Sequence, residues 1–418
     1  MGPATSRHAT LGVIALTLAL AYGIWYAYGV ILVALLKEFG WSRSVLAGAF
    51  SVFTLVHGGA NPLIGMLCAR FRPMKVILVG GVGIALACFA DSFISTPLEL
   101  YLAFGVLTAL AVAAAGWVPA LVHVQREFHQ RVGLPIGIIS AGVGVGMTLV
   151  VPLTQLLIDG IGWRGAFRVL GLLCAVWIVP AALWVMHTTD RIRGQSPNLE
   201  IRGQTPEKQN QEDSGSVPNI TLREAVRMQP FWLLVAAFFF GNINSQTLHV
   251  HQVAHLVDHG LAPIVAASVV GVVGFASIVG KTGGGWLSDR VERELVYVAG
   301  IVVLAASALL LLLLGDSPSR SGAYGYAVLL GIGYSVTAAI TPAMMSDRFS
   351  GKHFGAIVGV GLMGSAVGSA FGPWMAGRIY DTAGSYTAAF LIAASCGAVA
   401  GVCAWRARAL RRAALSCV

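Results

Sequence analysis

The residues of this chain that could do chemistry are few, and they stand in apolar surroundings. Lys281 closes the run Phe275-Ala-Ser277-Ile-Val-Gly280-Lys281, and His57 lies among small and apolar residues. His249, His251 and His255 share one stretch with Asn242, Asn244 and Gln246. An ionisable side chain at membrane depth costs about 3 kcal/mol and by default marks a substrate or ion pathway. A lysine there is a point charge that pairs well with an anion, because a low dielectric screens the pair poorly. A histidine titrates near neutral pH and can carry a proton. None of the 18 acidic residues falls in the middle of an apolar stretch. The plainer alternatives are a lysine that snorkels to the interface and a neutral, hydrogen-bonded histidine that only shapes a cavity. His249 and His251, two apart, cannot share a helix face. His251 and His255 can pair at i, i+4, but no acid or cysteine completes a ligand set, so no metal is expected. With no Ser/His/Asp set, no Walker loop and no soluble catalytic domain, neither an enzyme, a cofactor nor an ATP-driven pump is expected.

These residues need elements that hold them at depth. Of 418 residues, 56% are hydrophobic and 11% charged, and the mean hydropathy is +0.77. A soluble domain carries about 25% charge, so a water-soluble globule is excluded. Stretches of about 20 apolar residues span a bilayer. Twelve are read, at 11–36, 44–69, 74–94, 98–124, 133–158, 166–187, 231–257, 263–287, 295–314, 323–346, 354–377 and 385–405. Backbone groups in lipid must bond within their own segment, so an all-α membrane protein is expected.

With the N-terminus in the cytoplasm, 20 of the 27 Lys and Arg fall on the cytoplasmic side and 6 on the other. The cytoplasmic clusters are Arg70/Arg72/Lys75, Arg126/Arg131, Arg290/Arg293, Arg348/Lys352 and Arg406/Arg408/Arg411/Arg412. This asymmetry places both termini inside, and it accounts for the net charge of +9 without nucleic acid. Ala19-Leu20-Ala21 mimics a cleavage site, but the apolar run continues to Leu36, so the first span is read as uncleaved. Cys68, Cys88, Cys174, Cys396 and Cys403 lie in or beside spans and Cys417 in the tail; none forms a CxxC pair, so no disulfide framework is indicated. Residues 188–228 are too polar to fold alone. They are read as a cytoplasmic linker between two six-span halves, 1–187 and 229–418, with a short amphipathic helix possible over Ile220 to Met228.

The two halves repeat each other. A shift of 220 puts Gly40 on Gly260, Ala47 on Ala267, Gly65 on Gly285, Leu67 on Leu287 and Arg70 on Arg290. A shift of 222 puts Gly133 on Gly355, Gly137 on Gly359, Gly142 on Gly364, Gly146 on Gly368 and Asp159 on Asp381. A parallel repeat of membrane spans is how secondary transporters build two halves around a central site. By the same register His57 mirrors Ser277, and Asn61 mirrors Lys281. The repeated glycines suit either helices that slide past each other or static close packing.

The loops after the second and eighth spans read Gly65-Met-Leu-Cys-Ala-Arg70 and Gly285-Trp-Leu-Ser-Asp289-Arg290. They resemble the G-x-L-x-D-R signature of the major facilitator superfamily, with Ala69 in place of the first acid. The resemblance implies a cytoplasmic gate formed by Arg70, Asp289 and Arg290 through charge-assisted contacts in one state. Further segments are Phe39-Gly40-Trp41-Ser42-Arg43, Gln125-Arg126-Glu127-Phe128, Arg131-Val-Gly133-Leu-Pro-Ile-Gly137, Gly162-Trp163-Arg164-Gly165-Ala166-Phe167 and Phe354-Gly355, running on to Gly372-Pro373-Trp374-Met-Ala-Gly377-Arg378-Ile-Tyr-Asp381. Together they resemble bacterial members of the monocarboxylate transporter family, which is related to the oxalate/formate antiporter group. Glu127 departs from a common tryptophan, and the acidic motif of the animal members is absent.

The resemblance implies that Lys281 takes the place of an arginine facing the substrate carboxylate, and that Ser277 stands where the family has an aspartate. That substitution removes the expected carboxylate proton carrier, so His57 is read as its stand-in, coupled to anion binding at Lys281. Asn61, Tyr26, Asn242 and Tyr334 complete the expected substrate-binding set, and Tyr22, Trp25 and Tyr28 are further aromatics of the first span. The implied function is proton-coupled carriage of a small monocarboxylate such as lactate or pyruvate. The expected cavity lies between spans 1, 2, 4, 5 and 7, 8, 10, 11 of a functional monomer in a bacterial inner membrane. The alternatives are an organic-anion exchanger of oxalate/formate type, disfavoured because 354–377 lacks the basic residue of that group, and an efflux carrier for a larger amphipathic compound.

Overall fold

The computed structural model describes residues 3–128, 133–194, 220–316, 318–349 and 353–416. Arg131, Lys352, Cys417 and residues 195–219 of the expected linker lie outside the described residues. Among the described residues all regular structure is helical. The first half holds α1 (Pro3–Phe39), α2 (Arg43–Arg70), α3 (Pro73–Asp91), α4 (Pro97–Glu127), α5 (133–161) and α6 (163–194). The second holds α7 (Gln229–Asp258), α8 (Pro263–Ser288), α9 (Arg293–Asp316), α10 (Arg320–Phe349), α11 (Phe354–Ala383) and α12 (Thr387–Ser416). Each is long and apolar enough to cross a bilayer, α5 and α6 running on from one another through Gly162. The even number brings the chain back to the side where it began. We call the end of the bundle with both termini the terminal end and the other the distal end.

The turns explain part of the repeat. Gly40, Gly162, Gly260 and Gly384 have φ of 64°, 74°, 90° and 68°, a region that side chains with a Cβ avoid. They form two repeat-related pairs, Gly40 with Gly260 and Gly162 with Gly384, each at a distal turn between consecutive helices. Ser42 caps α2 by accepting from the Val45 amide at 3.3 Å. The expected amphipathic segment 220–228 holds one helical turn, Leu222–Ala225, closed by a capping box of Thr221 and Glu224. Helix α6 continues to Gly194, past the end of the expected first half at 187.

Two helices bear on the site. α7 is continuous despite its polar residues. Two of its polar side chains turn back to its own carbonyls without breaking the ladder: Asn242 Nδ2 donates to the Phe238 carbonyl at 2.9 Å, and His249 Nδ1 lies 2.8 Å from the Ser245 carbonyl. The irregular helix is α4, which is π-helical over Tyr101–Thr108 and breaks at Gly116 (φ −93°, ψ −146°). Such π segments often sit at functional sites.

The glycine rows separate the two readings offered for them. A Cβ on Gly142 or Gly146 would stand 2.1 Å from the Ala15 or Ala19 carbonyl oxygen of α1, in the same half. Gly364 and Gly368 meet the Val235 and Phe239 carbonyls of α7 at 2.9 and 2.2 Å in the same way. These four are close packing inside each half. Gly144 faces the other half: its Cβ would meet Ile278 at 2.5 Å and the Gly274 carbonyl at 2.7 Å on α8. Gly144 and Gly274 therefore lie at a contact between the halves, beside the repeated glycines.

Candidate functional site

Three seams join the halves: α1 on α7, α2 on α11 and α5 on α8. Named contacts run along them from the distal end to mid-depth. On α2–α11, Arg43 meets Asp381, Ser51 Oγ donates to the Ala370 carbonyl at 2.5 Å, and a Cβ on Gly58 would touch Ala366 at 3.1 Å. On α5–α8, Thr148 Oγ1 donates to the Gly271 carbonyl at 3.0 Å, followed by the Gly144 contact with Gly274 and Ser277. At the centre, the Tyr26 and Tyr334 hydroxyls are 2.5 Å apart, one from each half. The His249 ring lies 5.4 Å from Tyr26 and 4.7 Å from Tyr334, between centroids. Its Nε2 is buried and has no partner.

Lys281 is half-buried on α8. It stands four residues after Ser277 and seven after Gly274, so it shares their face and projects into the α5–α8 seam one turn past the Gly144 contact. Among the described residues nothing forms a salt bridge or hydrogen bond with its amine. Ser277 is buried, and its hydroxyl turns back to the Gly274 carbonyl at 2.7 Å. On the mirror seam, Asn61 is half-buried one turn past Gly58. Asn242 lies two turns from His249 on the same face of α7, where its amide oxygen accepts from Ser369 at 3.2 Å.

His57 is buried, at 8% exposure, in the middle of α2. Its ring is enclosed by Trp25 at 4.7 Å, Phe53 at 6.2 Å and Tyr22 at 6.2 Å, and its Nε2 has no partner. All three neighbours belong to the first half, so the structure does not bring His57 against Lys281. It brings together Tyr26 and Tyr334, adds His249, and sets Lys281 and Asn61 on opposite seams.

At the terminal end the motif residues are apart. Arg70 is exposed, over the Phe71 ring at 5.7 Å. Asp289 is exposed, and Arg290 donates to the Trp286 carbonyl at 3.0 Å and stacks on that ring at 3.8 Å. Other charges there tie helices within a half. Arg126 donates to the Cys68 carbonyl at 2.6 Å. Glu292 accepts from Arg408 Nε at 2.5 Å and from Arg412 Nε at 3.1 Å, and Arg411 lies 3.1 Å from Glu294. Hydrogen bonds from Arg408, then Arg412, hold the Glu292 carboxyl at about 2, well below its usual range.

Arg43 and Asp91 were missed as functional candidates, and His249, named in the histidine group, was left out of the expected substrate-binding set. Arg43 appears in the sequence only as part of a hairpin motif, yet it forms a distal cluster with Asp258, Tyr386 and Asp381. His249 carried a signal, a histidine in a polar stretch of a span. Asp91, near the end of its apolar stretch, is fully buried; one oxygen accepts from Thr108 at 2.8 Å and the other has no partner. Arg378, just past the expected end of its span, lies within α11 but is exposed.

Two six-helix halves, seams of small residues and a polar centre at mid-depth define a secondary transporter. The family model of the Major Facilitator Superfamily matches residues 14–280 and 252–416, and the chain belongs to that superfamily. It is a multi-pass membrane transporter and not an enzyme. Among curated proteins it is similar to monocarboxylate transporter 13 of Bos taurus, with 27% identity over 90% of this chain and 83% of that one. Monocarboxylate transporter 4 of Rattus norvegicus is 27% identical over 89% and 77%. Among solved structures it resembles a bacterial homolog to the human lysosomal transporter Spinster, in an inward-facing and unoccupied conformation. The TM-score is 0.68 at 17% identity, over 96% of this chain and 98% of that one, a likeness of fold.

Proposed function

We propose that the chain carries a small monocarboxylate, of the lactate or pyruvate kind, together with a proton by alternating access. The observation that carries this reading is Lys281, a half-buried cation on the face of α8 that meets α5, whose amine bonds to none of the described residues. A cation at such depth without a counter-ion is costly unless one arrives, and a carboxylate in a poorly screened seam supplies it. The monocarboxylate transporters among its relatives support the choice of anion.

Lys281 and Asn61, one on each seam, would flank the cargo, with Tyr26, Tyr334 and Asn242 setting its depth. His57 and Lys281 would handle the proton. Segment 188–228 would link the two six-helix halves. Both termini would be cytoplasmic in a bacterial inner membrane, which makes this conformation inward-open, with Arg70, Asp289 and Arg290 closing the cytoplasmic mouth in the opposite state. The protein would act as a monomer. The aromatic enclosure of His57 by Tyr22, Trp25 and Phe53 favours, as a second reading, a larger amphipathic cargo.

The test is uptake of labelled lactate and pyruvate into proteoliposomes with an inward proton gradient. Gradient-driven uptake by wild type, lost in Lys281→Gln and uncoupled from pH in His57→Gln, is the expected result. A folded wild type that takes up neither compound would overturn the monocarboxylate assignment, and unchanged pH-driven uptake in His57→Gln would overturn the proton role.

A further inference from the structure

At the distal end one arginine spans the halves. Arg43 Nη2 donates to Asp258 Oδ2 at 2.7 Å, and Nη1 donates to the Tyr386 hydroxyl at 2.6 Å. Its guanidinium lies 3.7 Å over the Tyr380 ring. The backbone amides of Arg43 and Ser44, the first of α2, donate to the two oxygens of Asp381 at 2.8 and 2.9 Å, so a carboxylate of one half caps a helix of the other. A Cβ on Gly377 would strike the Arg43 backbone at 2.7 Å, so only glycine admits this approach. Beneath the arginine, His251 is fully buried, with Nδ1 2.9 Å from the Tyr386 hydroxyl and Nε2 2.8 Å from the Pro373 carbonyl.

We propose that this cluster is a proton-sensitive latch on the distal mouth: Arg43 holds α2 to the second half while His251 is neutral, and protonation of His251 releases it. The hydrogen-bond directions carry the argument. A carbonyl only accepts, so His251 Nε2 bears the hydrogen. In the neutral ring Nδ1 is then an acceptor, and Tyr386 donates to it while accepting from Arg43. Along this chain each bonded hydrogen has its own acceptor. A second proton on His251 puts a donor at Nδ1, facing a hydroxyl that already accepts from Arg43. The tyrosine hydrogen is displaced, and a second positive charge stands one residue away from a guanidinium that is itself buried.

Around His251 stand Tyr386 from α12, bonded to it, and Arg43 from α2 and Asp381 from α11 within electrostatic reach, with Tyr380 of α11 against Arg43 and Tyr386, Asp258 of its own helix on Arg43 and His255 beside Tyr386. His255 is engaged elsewhere, its Nε2 lying 3.0 Å from the Leu311 carbonyl of α9. The closed latch therefore binds one proton fewer at His251 than the open one, and by linkage acid favours opening. Asp258 and Asp381 would also weaken the latch if protonated, so the test must isolate the histidine. His251→Gln does so: its amide nitrogen can donate to the Pro373 carbonyl and its oxygen can accept from Tyr386, but it does not titrate.

The experiment uses the full chain in lipid nanodiscs with native cysteines replaced. Spin labels at Leu98 and Thr382, exposed distal positions in opposite halves, report the opening by pulsed electron paramagnetic resonance. Between pH of about 8 and about 5, a window that brackets histidine titration, wild type should shift from one short distance to a mixture with a longer one. His251→Gln should stay short at both, and Arg43→Gln long at both; should the latter not fold, Asp258→Asn removes one arm of the latch and serves in its place. A wild-type distance that ignores pH, or a His251→Gln protein that opens with acid as wild type does, would overturn the proposal. The readout is a distance, so it stands or falls independently of the cargo.

Discussion

Replacing Gly146 with alanine tests how the halves are built. The added Cβ would stand 2.1 Å from the Ala19 carbonyl oxygen, where real Cβ atoms essentially never come within 3.0 Å. α5 must therefore back away from α1 by about 0.9 Å, the gap between these two distances. The obstacle is backbone inside a helix and cannot swing aside. Gly142, one turn along, meets the Ala15 carbonyl at the same 2.1 Å, so the two contacts fix the separation together. Overpacking of this kind costs about 1–3 kcal/mol, against a gain of up to about 1 kcal/mol from the better helix propensity of alanine. With the middle of the cost range and the full gain, the net expectation is a loss of about 1 kcal/mol, or a factor of about 5 in the folded ratio. Gly144→Ala, on the opposite face of the same helix, would instead strike α8 and shift the balance between conformations while leaving each half packed. Thermal unfolding of the two purified variants, run beside the Leu98–Thr382 distance measurement, separates these effects. A Gly146→Ala protein that melts at or above wild type would refute the idea that backbone contact sets the α1–α5 spacing.

Two further outcomes are expected. Tyr334→Phe leaves the Tyr26 hydroxyl without its partner across the halves, at a cost of about 1 kcal/mol, so the population of this conformation should fall about fivefold relative to its alternative; unaltered populations in the distance distributions would show that the bond does not join moving parts. Glu292→Gln removes the anchor of Arg408 and Arg412. Because the folded carboxyl is held at about 2, below its unfolded value, its contribution is full above that unfolded value of about 4.3 and is lost as pH falls toward 2. The variant should melt below wild type at pH of about 7, and the gap should close on acidification; a gap independent of pH would mean the charge is irrelevant.

Hydropathy made the twelve helices legible, because a span must hide its backbone and carry about 20 apolar residues whatever its partners are. The repeat register was legible for the same reason that Gly40 and Gly260 coincide: a backbone with positive φ admits little else. Tyr26 and Tyr334 could be named as candidates but not as a pair, since nothing in a chain marks two residues 308 apart as neighbours. The π segment of α4 was not legible, because Tyr101–Thr108 reads as the same apolar text as any other span. Arg43 and Asp381 were visible in separate motif segments, yet their meeting depends on a glycine, Gly377, whose reason for being glycine lies on another helix. The role of Lys281 could be framed from its burden alone, a charge in an apolar run.

The contact between α1 and α5 is made by the carbonyls of Ala15 and Ala19 against the bare faces of Gly142 and Gly146. Every residue has a carbonyl, so at Ala15 and Ala19 the close approach asks for no particular side chain, while Leu11, Ile14 and Leu18 of α1 pack beside it in one apolar cluster with Ile139 of α5. Tyr22, Trp25 and Tyr26 are engaged elsewhere, the first two against His57 and Phe53 of α2 and the third with Tyr334 of α10. The joint is thus asymmetric: a substitution at Gly142 or Gly146 is felt as a clash, whereas positions 15 and 19 offer α5 only atoms that every residue carries.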